Sequence, residues 1–486
     1  MNRLCGGWLL GALAVTALMV VAGCAGSPAP LDDPNVNLIF VASEDLSYNA
    51  VGDVNPNTAN LTNIGLQRAL LMGTFLKERV VGNEPLVGIY ALEPMTHLQT
   101  ANQYPDIVAL ETVEQFAMLN QFTIAQQGYP TTTANSYPIF ASYAANSVPA
   151  GVASPPFPCT VCQGLDFTDE NEDNEALITS ILATKAPGNY VFSAPWETVS
   201  ALMASANRIG NYRVSVPEHY AGPNVVYVIS VTPSGLAALL TYNGQLHPAP
   251  SYPVLPPLAG VSQACPAATI NIQVTDGVGG ATVPAGINTN ETAYMIRHAE
   301  AHPSASWDDG NYIGAGQWRA LYLPQALSGK ISPSAVYSID PANDVPEAID
   351  DAVPSSYVRP TLTAEPYAIA NNLPFFLAAS VPVFQSNQNP PNLATAAAGY
   401  FFFSNQGGPG LSGKTTLIAW EHDHIPPTVE ALIHDYGVTP PTLSWSDGDY
   451  DSIWTIRLDA HGNLSVDNAL CEGVNSSLLP ATPPQF

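Results

Sequence analysis

The sequence predicts an α/β protein built as two domains with mostly parallel sheets. Three observations predict it. Short apolar runs alternate with amphipathic stretches throughout the chain, the pattern of parallel strands joined by helices. The same landmarks recur in the same order in the two halves. Beyond the N-terminal apolar segment the chain still has about 460 residues, more than one hydrophobic core usually supports.

In the first half, residues 37–41 (NLIFV) read as a buried strand and 64–70 (IGLQRAL) as the start of an amphipathic helix. Residues 88–90 (GIY) read as a second strand, followed by Pro94 and then 96–101 (THLQTA). Residues 196–202 (WETVSAL) and a closing strand at 225–229 (VVYVI) complete the half. The second half repeats this with 293–296 (AYMI), 314–321 (GAGQWRAL), 335–337 (AVY) with Pro341, and 359–364 (RPTLTA). Trp420-Glu421, residues 428–432 (TVEAL) and the closing strand 453–456 (IWTI) follow. The Pro-rich stretch 247–260 is the natural boundary. The expected organisation is a leader at 1–23, a tether at 24–34, a first domain at 35–250 and a linker at 251–285. A second domain at 286–475 and a tail at 476–486 follow, the two domains packing as an internal pseudo-dimer.

The leader carries Arg3 and an apolar stretch at 8–21, short for a membrane span and suited to a signal peptide. Val21-Ala22-Gly23-Cys24 resembles the lipobox of bacterial lipoproteins, which implies lipid on Cys24 and a place in the cell envelope, on the periplasmic or extracellular side. Membrane contact would then run only through that lipid. A net charge of −27 with 13 Lys and Arg argues against nucleic-acid and anionic-lipid surfaces. It also makes each arginine informative. Of the remaining cysteines, Cys159, Cys162, Cys265 and Cys471 read as structural disulfide candidates in an exported chain. Cys159 and Cys162 form a CxxC in a Pro-rich loop without further zinc ligands nearby.

The run Tyr294-Met295-Ile296-Arg297-His298-Ala299-Glu300 reads as a strand that stops on an Arg-His pair. Strand ends are where α/β sheets present reactive groups to ligands. With Gly316-Gln317-Trp318-Arg319-Ala320, Arg359 before Thr363-Ala364, and residues 417–422 (LIAWEH), the pattern resembles the histidine phosphatase superfamily, the phosphoglycerate mutase-like enzymes. The resemblance covers roughly residues 291–456. It implies two phosphoglycerate mutase-like α/β/α sandwiches.

In that family a neutral imidazole attacks phosphorus, and water hydrolyses the phosphohistidine. The resemblance makes His298 the nucleophile and gives Arg297, Arg359 and His422 the phosphoryl oxygens. It implies a phosphorylated small-molecule substrate and calls for no metal or other cofactor. For the general acid the resemblance offers Asp423, directly after the second His, with Glu421 and the acids of 340–351 as alternatives. The first half has Ala42-Ser43 where Arg-His would stand, Thr96 in place of the later Arg, and no His between His97 and His219. It reads as structural or ligand-binding.

Other conspicuous residues have plainer readings. His302 and His424 fit the rim of the site, and His422 with His424 lacks an evident third metal ligand. The acidic run 447–451 (DGDYD) lacks the glycine and late glutamate of a calcium loop and reads as a turn entering the final strand, while 169–175 (DENEDNE) reads as a solvated loop, with weak calcium binding as the alternative. The expected activity is phosphomonoester hydrolysis by the second half. The competing class is a catalytically inactive phosphatase-like binding module of the envelope. Composition leaves substrate and oligomeric state open.

Overall fold

The computed structural model describes residues 30–31, 34–50, 52–120, 122–124, 132–134, 136–143, 147–152, 163–301, 309–345, 355–381 and 390–486. The expected leader, Cys24 and most of the tether lie outside them. So do Cys159, Cys162, His302 and the acids Glu347, Asp350 and Asp351.

The first half contains strands β1 (Val36–Ala42), β2 (Leu86–Ala91), β3 (Gly188–Ala194), β4 (Val225–Val231) and β5 (Ala237–Asn243). Its helices are α1 (Asn63–Phe75), α2 (Val108–Met118), α3 (Asp173–Thr184) and α4 (Trp196–Gly210). The second half contains β6 (Asn271–Val274), β7 (Glu291–Arg297), β8 (Ala335–Ser338), β9 (Phe375–Leu377), β10 (Thr415–Trp420), β11 (Ser452–Leu458) and β12 (Leu464–Cys471). Its helices are α5 (Gly314–Ala326), α6 (Arg359–Asn371), α7 (Pro390–Phe402) and α8 (Ile425–Asp435).

The first sheet runs β2-β3-β1-β4-β5 and the second β6-β12-β11-β7-β10-β8-β9. Five consecutive strands of the second, β8-β10-β7-β11-β12, repeat the order of the first. The directions repeat too. The central strand of each sheet is parallel to the neighbour on one side and antiparallel to the other. The sheets are therefore mixed and not mostly parallel, because on one side of each central strand the chain returns through an antiparallel hairpin, β4–β5 or β11–β12, to which the second sheet adds antiparallel β6 at its edge. A hairpin needs only a tight turn, whereas a parallel return needs a crossover.

Continuous apolar runs form the central strands because both faces of each sheet are covered. In β1, Ile39 and Val41 join Met72 of α1 and Leu110 of α2, while Leu38 and Phe40 join Val199 and Leu202 of α4. In β7, Ile296 packs with Leu323 of α5 and Ala368 of α6, and Ala293 and Met295 with Val429 and Leu432 of α8. Each half is a three-layer α/β/α unit. The halves meet helix to helix, with Leu66 and Val108 packing on Leu321 and Ile369. Polar contacts add to this seam: Gln317 Nε2 donates to Glu114 at 2.6 Å, and Ser136 Oγ to Asp309 at 2.8 Å.

Two sequence expectations need correction. Residues 96–101 are not the counterpart of the helix that starts at Arg359. The chain there makes a 3-10 turn (Pro94–Thr96) and a short ribbon strand (Leu98–Gln99), and the helix of that rank is α2. The 169–175 run is not wholly a loop either, since α3 begins at Asp173, with Asp173 and Glu175 in the first turn where negative charge suits the helix dipole. Cys265 and Cys471 form a disulfide that ties the linker to the end of β12.

Candidate active site

The register of one parallel strand pair builds the site. β7 and β10 pair Arg297 with Trp420, and the ladder continues as His298 N donates to Trp420 O at 2.8 Å. The next residues, His298 and Glu421, are thereby brought together where both strands end. His298 is buried, and its Nδ1 lies 2.7 Å from its neighbour's carbonyl, Ala299 O. With Nδ1–H donating there, Nε2 points at Glu421 Oε2, 2.8 Å away. Ala299 N donates to Thr363 Oγ1 at 2.8 Å, which fixes this corner against α6.

Arg359 is the first residue of α6, and its Nη2 lies 3.5 Å from Glu421 Oε2. Its position depends on Gly310, whose φ of +72° and close approach leave no room for a side chain. A Cβ there would fall 1.9 Å from Ser356 O, and the Gly310 carbonyl accepts from Arg359 N at 3.0 Å. Tyr357, on the same segment, donates its hydroxyl to Glu421 Oε2 at 2.7 Å. His422 contacts the other oxygen of Glu421 through Nδ1, and its backbone N–H donates there at 2.9 Å. The Arg297 guanidinium carbon lies over the Tyr450 ring, 3.9 Å from its centroid, and Arg297 donates to Asp447 O. The same Tyr450 ring packs against His298, with centroids 6.2 Å apart.

Four of these groups, His298, Tyr357, Arg359 and His422, thus converge on one carboxylate. Burial alone would raise the Glu421 pKa, but His298, His422 and Arg359 outweigh it and hold the group well below the usual carboxylate range. Burial pushes the His298 imidazole down; Glu421 opposes this, and the Arg359 and Arg297 guanidiniums add to it. Two acceptors cannot face each other at 2.8 Å. With Nδ1 committed to Ala299 O, one proton must therefore sit between Nε2 and Glu421.

Asp423 is placed differently. Its side chain is 75% exposed, with Oδ1 3.5 Å from His422 Nε2. Asp340 is buried at the seam between the halves and does not reach the cluster through any contact among the described residues. Tyr357 and Tyr450 were not singled out by sequence reasoning. Neither carries a spacing signal, since each comes from a loop that only the fold brings near His298.

Arg319 holds the layer beneath. It is fully buried and donates to Glu300 at 2.7 Å and to Glu472 at 2.5 Å, which anchors the turn after His298 to the end of β12. Ligand atoms of Glu421, His422 and Asp423 lie within 4.8 Å of one another. The Arg359 guanidinium faces the same carboxylate, so a cation there would meet like charge.

In the first half, the segment after β1 begins Ser43-Glu44-Asp45 and contains neither an Arg nor a His. Val108, the first residue of α2, holds the rank that Arg359 has in α6. No arginine is present to take up the role of a phosphate fork at either place.

No family model matches the chain, and no curated protein matches it. Solved structures similar to it include a protein described as the putative phosphohistidine phosphatase SixA from Agrobacterium tumefaciens. The two are 16% identical, with 36% of this chain and 93% of that one covered and a TM-score of 0.21. A phosphoserine phosphatase from Entamoeba histolytica, solved with 3-phosphoglyceric acid, is 14% identical, covering 38% of this chain and all of its own (100%), with a TM-score of 0.24. A second SixA, from Nakamurella, is 14% identical over 42% of this chain and 96% of its own, with a TM-score of 0.21. Likeness at this level carries no argument about what this chain does.

Proposed function

We propose that the second half hydrolyses phosphomonoesters through His298, with Glu421 and not Asp423 as the group that moves the proton. What carries the reading is the convergence of His298, Tyr357, Arg359 and His422 on a single oxyanion. Such a cradle suits a phosphoryl group, because phosphoryl transfer depends chiefly on positioning and charge neutralisation.

In the resting site the Glu421 carboxylate occupies the cradle. A phosphoryl dianion displaces it and takes over Arg359, Tyr357 and His422 as partners. Glu421 then has fewer donors and a dianion beside it, so its pKa rises and it takes the proton it shares with Nε2. Nε2 is left bare and attacks phosphorus. The bond from phosphorus to the leaving oxygen breaks, and that oxygen receives the proton from Glu421. Water next attacks the phosphohistidine, Glu421 accepts a water proton, and phosphate leaves. Nδ1–H stays on Ala299 O throughout, which holds the tautomer with Nε2 facing the substrate.

The test compares an aryl phosphate, p-nitrophenyl phosphate, with an alkyl phosphate, glycerol phosphate. Glu421→Gln should cost on the order of 10²–10⁴-fold for the alkyl ester, whose leaving group needs a proton, and far less for the aryl ester. An equal loss on both substrates removes Glu421 from the proton path. A second reading is favoured by Glu421 filling the cradle: a non-catalytic module with an internal ion pair. It requires that wild type hydrolyse neither ester while Glu421→Ala binds inorganic phosphate more tightly than wild type.

We extend the proposal to the rest of the chain as two copies of one domain, the first without phosphatase chemistry. We read Cys24 as the lipid-bearing residue that holds the protein in the cell envelope.

A further inference from the structure

The first half lacks the arginines of a phosphatase, yet a different set of chemical groups gathers at the carboxyl ends of its strands. We propose that Asp45, His97 and Asp106 form a binding site for a divalent transition metal ion of the Zn²⁺ type.

Asp45 stands three residues beyond β1, His97 directly after the turn Pro94–Thr96, and Asp106 two residues before α2. One ligand atom from each lies within 4.8 Å of the others. His97 Nδ1 is 2.8 Å from Asp106 Oδ2 and 3.5 Å from Asp45 Oδ2. The 3.5 Å spacing is one that two ligands about 2.0–2.2 Å from a tetrahedral zinc ion adopt, and the 2.8 Å pair has to open by roughly half an ångström to admit it.

Each group is held from behind, with one Asp45 oxygen left unbonded and His97 Nδ1 and Asp106 Oδ2 bonded to each other across the centre. Asp45 Oδ1 accepts from Ser47 N at 2.7 Å and from Ser47 Oγ at 2.6 Å. Its other oxygen, Oδ2, is buried in a residue only 4% exposed and has no hydrogen-bond partner. A carboxylate oxygen in that state is costly unless something cationic answers it. Asp106 is fully buried, with Oδ1 taking Val108 N at 3.3 Å and its own N–H held by Pro94 O and His97 O at 3.1 Å each. The His97 ring is clamped by Phe167, stacked at 3.7 Å between centroids and 9° between planes.

One imidazole and two carboxylates suit zinc or manganese more than calcium, which takes six to eight oxygens. Three protein ligands leave coordination positions open for water or an anionic group, the form of a reactive metal site and not of a closed structural one. Glu197, at the start of α4, is near enough to act on His97 electrostatically and adds negative charge around the centre. Nδ1 must be bare to take the ion, so the ring carries its proton on Nε2 in the bound form.

The test is calorimetric titration of the chelator-treated full chain with Zn²⁺, alongside the visible absorption of the Co²⁺ form. Wild type should bind one ion. Asp45→Asn, which keeps the Ser47 bonds, and His97→Ala should each weaken it about tenfold or more and lose the Co²⁺ band. His422→Ala should leave binding unchanged. Thermal melting of the metal-free variants checks that they fold. The proposal is overturned if folded Asp45→Asn and His97→Ala both bind as wild type does, if His422→Ala alone abolishes binding, or if wild type binds no ion.

Discussion

Changing Asp340 to Asn should make the protein less sensitive to rising pH. Asp340 follows β8 and is fully buried at the seam between the halves, where its carboxyl faces that of Glu93 from the loop after β2. Burial pushes Asp340 up from 3.8 to about 6, and burial together with the Asp340 charge pushes Glu93 well above its usual range. The folded pKa is raised, so the neutral carboxyl stabilises the fold fully below pH 3.8, and that contribution is lost as pH climbs through about 6. A shift of about two units corresponds to roughly 3 kcal/mol lost over this window. The amide that replaces the carboxyl would keep an oxygen for Ala342 N, which Asp340 Oδ1 accepts at 2.9 Å, would offer an NH2 to Glu93, and would not titrate. Urea denaturation of both proteins between pH 4 and 7 measures the difference. Wild type should lose about 3 kcal/mol more than Asp340→Asn over that span. Parallel losses in the two would refute the raised Asp340 pKa on which the prediction rests. Glu111 and Glu114, pushed up from 4.5 to about 7 and about 8 mainly by burial, add their own loss as pH rises from 4.5 through those values, equally in both proteins, and so cancel from the comparison.

Three further outcomes follow from the same geometry. Replacing both Cys265 and Cys471 by Ser opens a link 206 residues apart in sequence and should lower stability by about 3–5 kcal/mol, read from denaturant midpoints of the oxidised wild type and the variant. Gly310→Ala should cost about 2 kcal/mol or more, because φ is positive there and the new Cβ meets Ser356 O; thermal melting reads the loss, and phosphate affinity should fall with it as Arg359 shifts. Tyr357→Phe removes one of the donors converging on Glu421 and should weaken inorganic phosphate binding several-fold, by about 1–2 kcal/mol, without changing the melting temperature much; unchanged affinity would take the hydroxyl out of the cradle.

Much of the fold was legible because the central strands are apolar on both faces. Residues 37–41 and 293–296 could hardly be anything but buried strands, and both lie in the middle of their sheets. The antiparallel partners β5 and β12 were less legible. β5 is half exposed and mixed in character, so its alternation was weak, although Pro233-Ser234-Gly235 and His461-Gly462 marked the turns. The false match of 96–101 with 359–364 shows how little a short shared motif fixes the backbone. Thr-Ala recurs at 100–101 and 363–364, but the backbone follows Pro94 into a 3-10 turn, and helix formation waits for Val108. At the candidate site, Arg297, His298, Arg359 and His422 could be named from local motifs. That Glu421 faces His298 could not, because it depends on a register between strands 123 residues apart. The Asp45–His97–Asp106 cluster was hidden for the same reason, its members being joined by loops and not by a spacing.

The central claim is that His298 becomes phosphorylated. Rapid quenching of the full chain with p-nitrophenyl phosphate, followed by mass spectrometry of the peptide around His298, tests it most directly. The account requires an acid-labile phosphoryl group on His298 that forms as fast as p-nitrophenol appears and is absent, with turnover, from His298→Ala. Turnover in which His298 is never modified, or His298→Ala releasing phosphate at the wild-type rate, would contradict it.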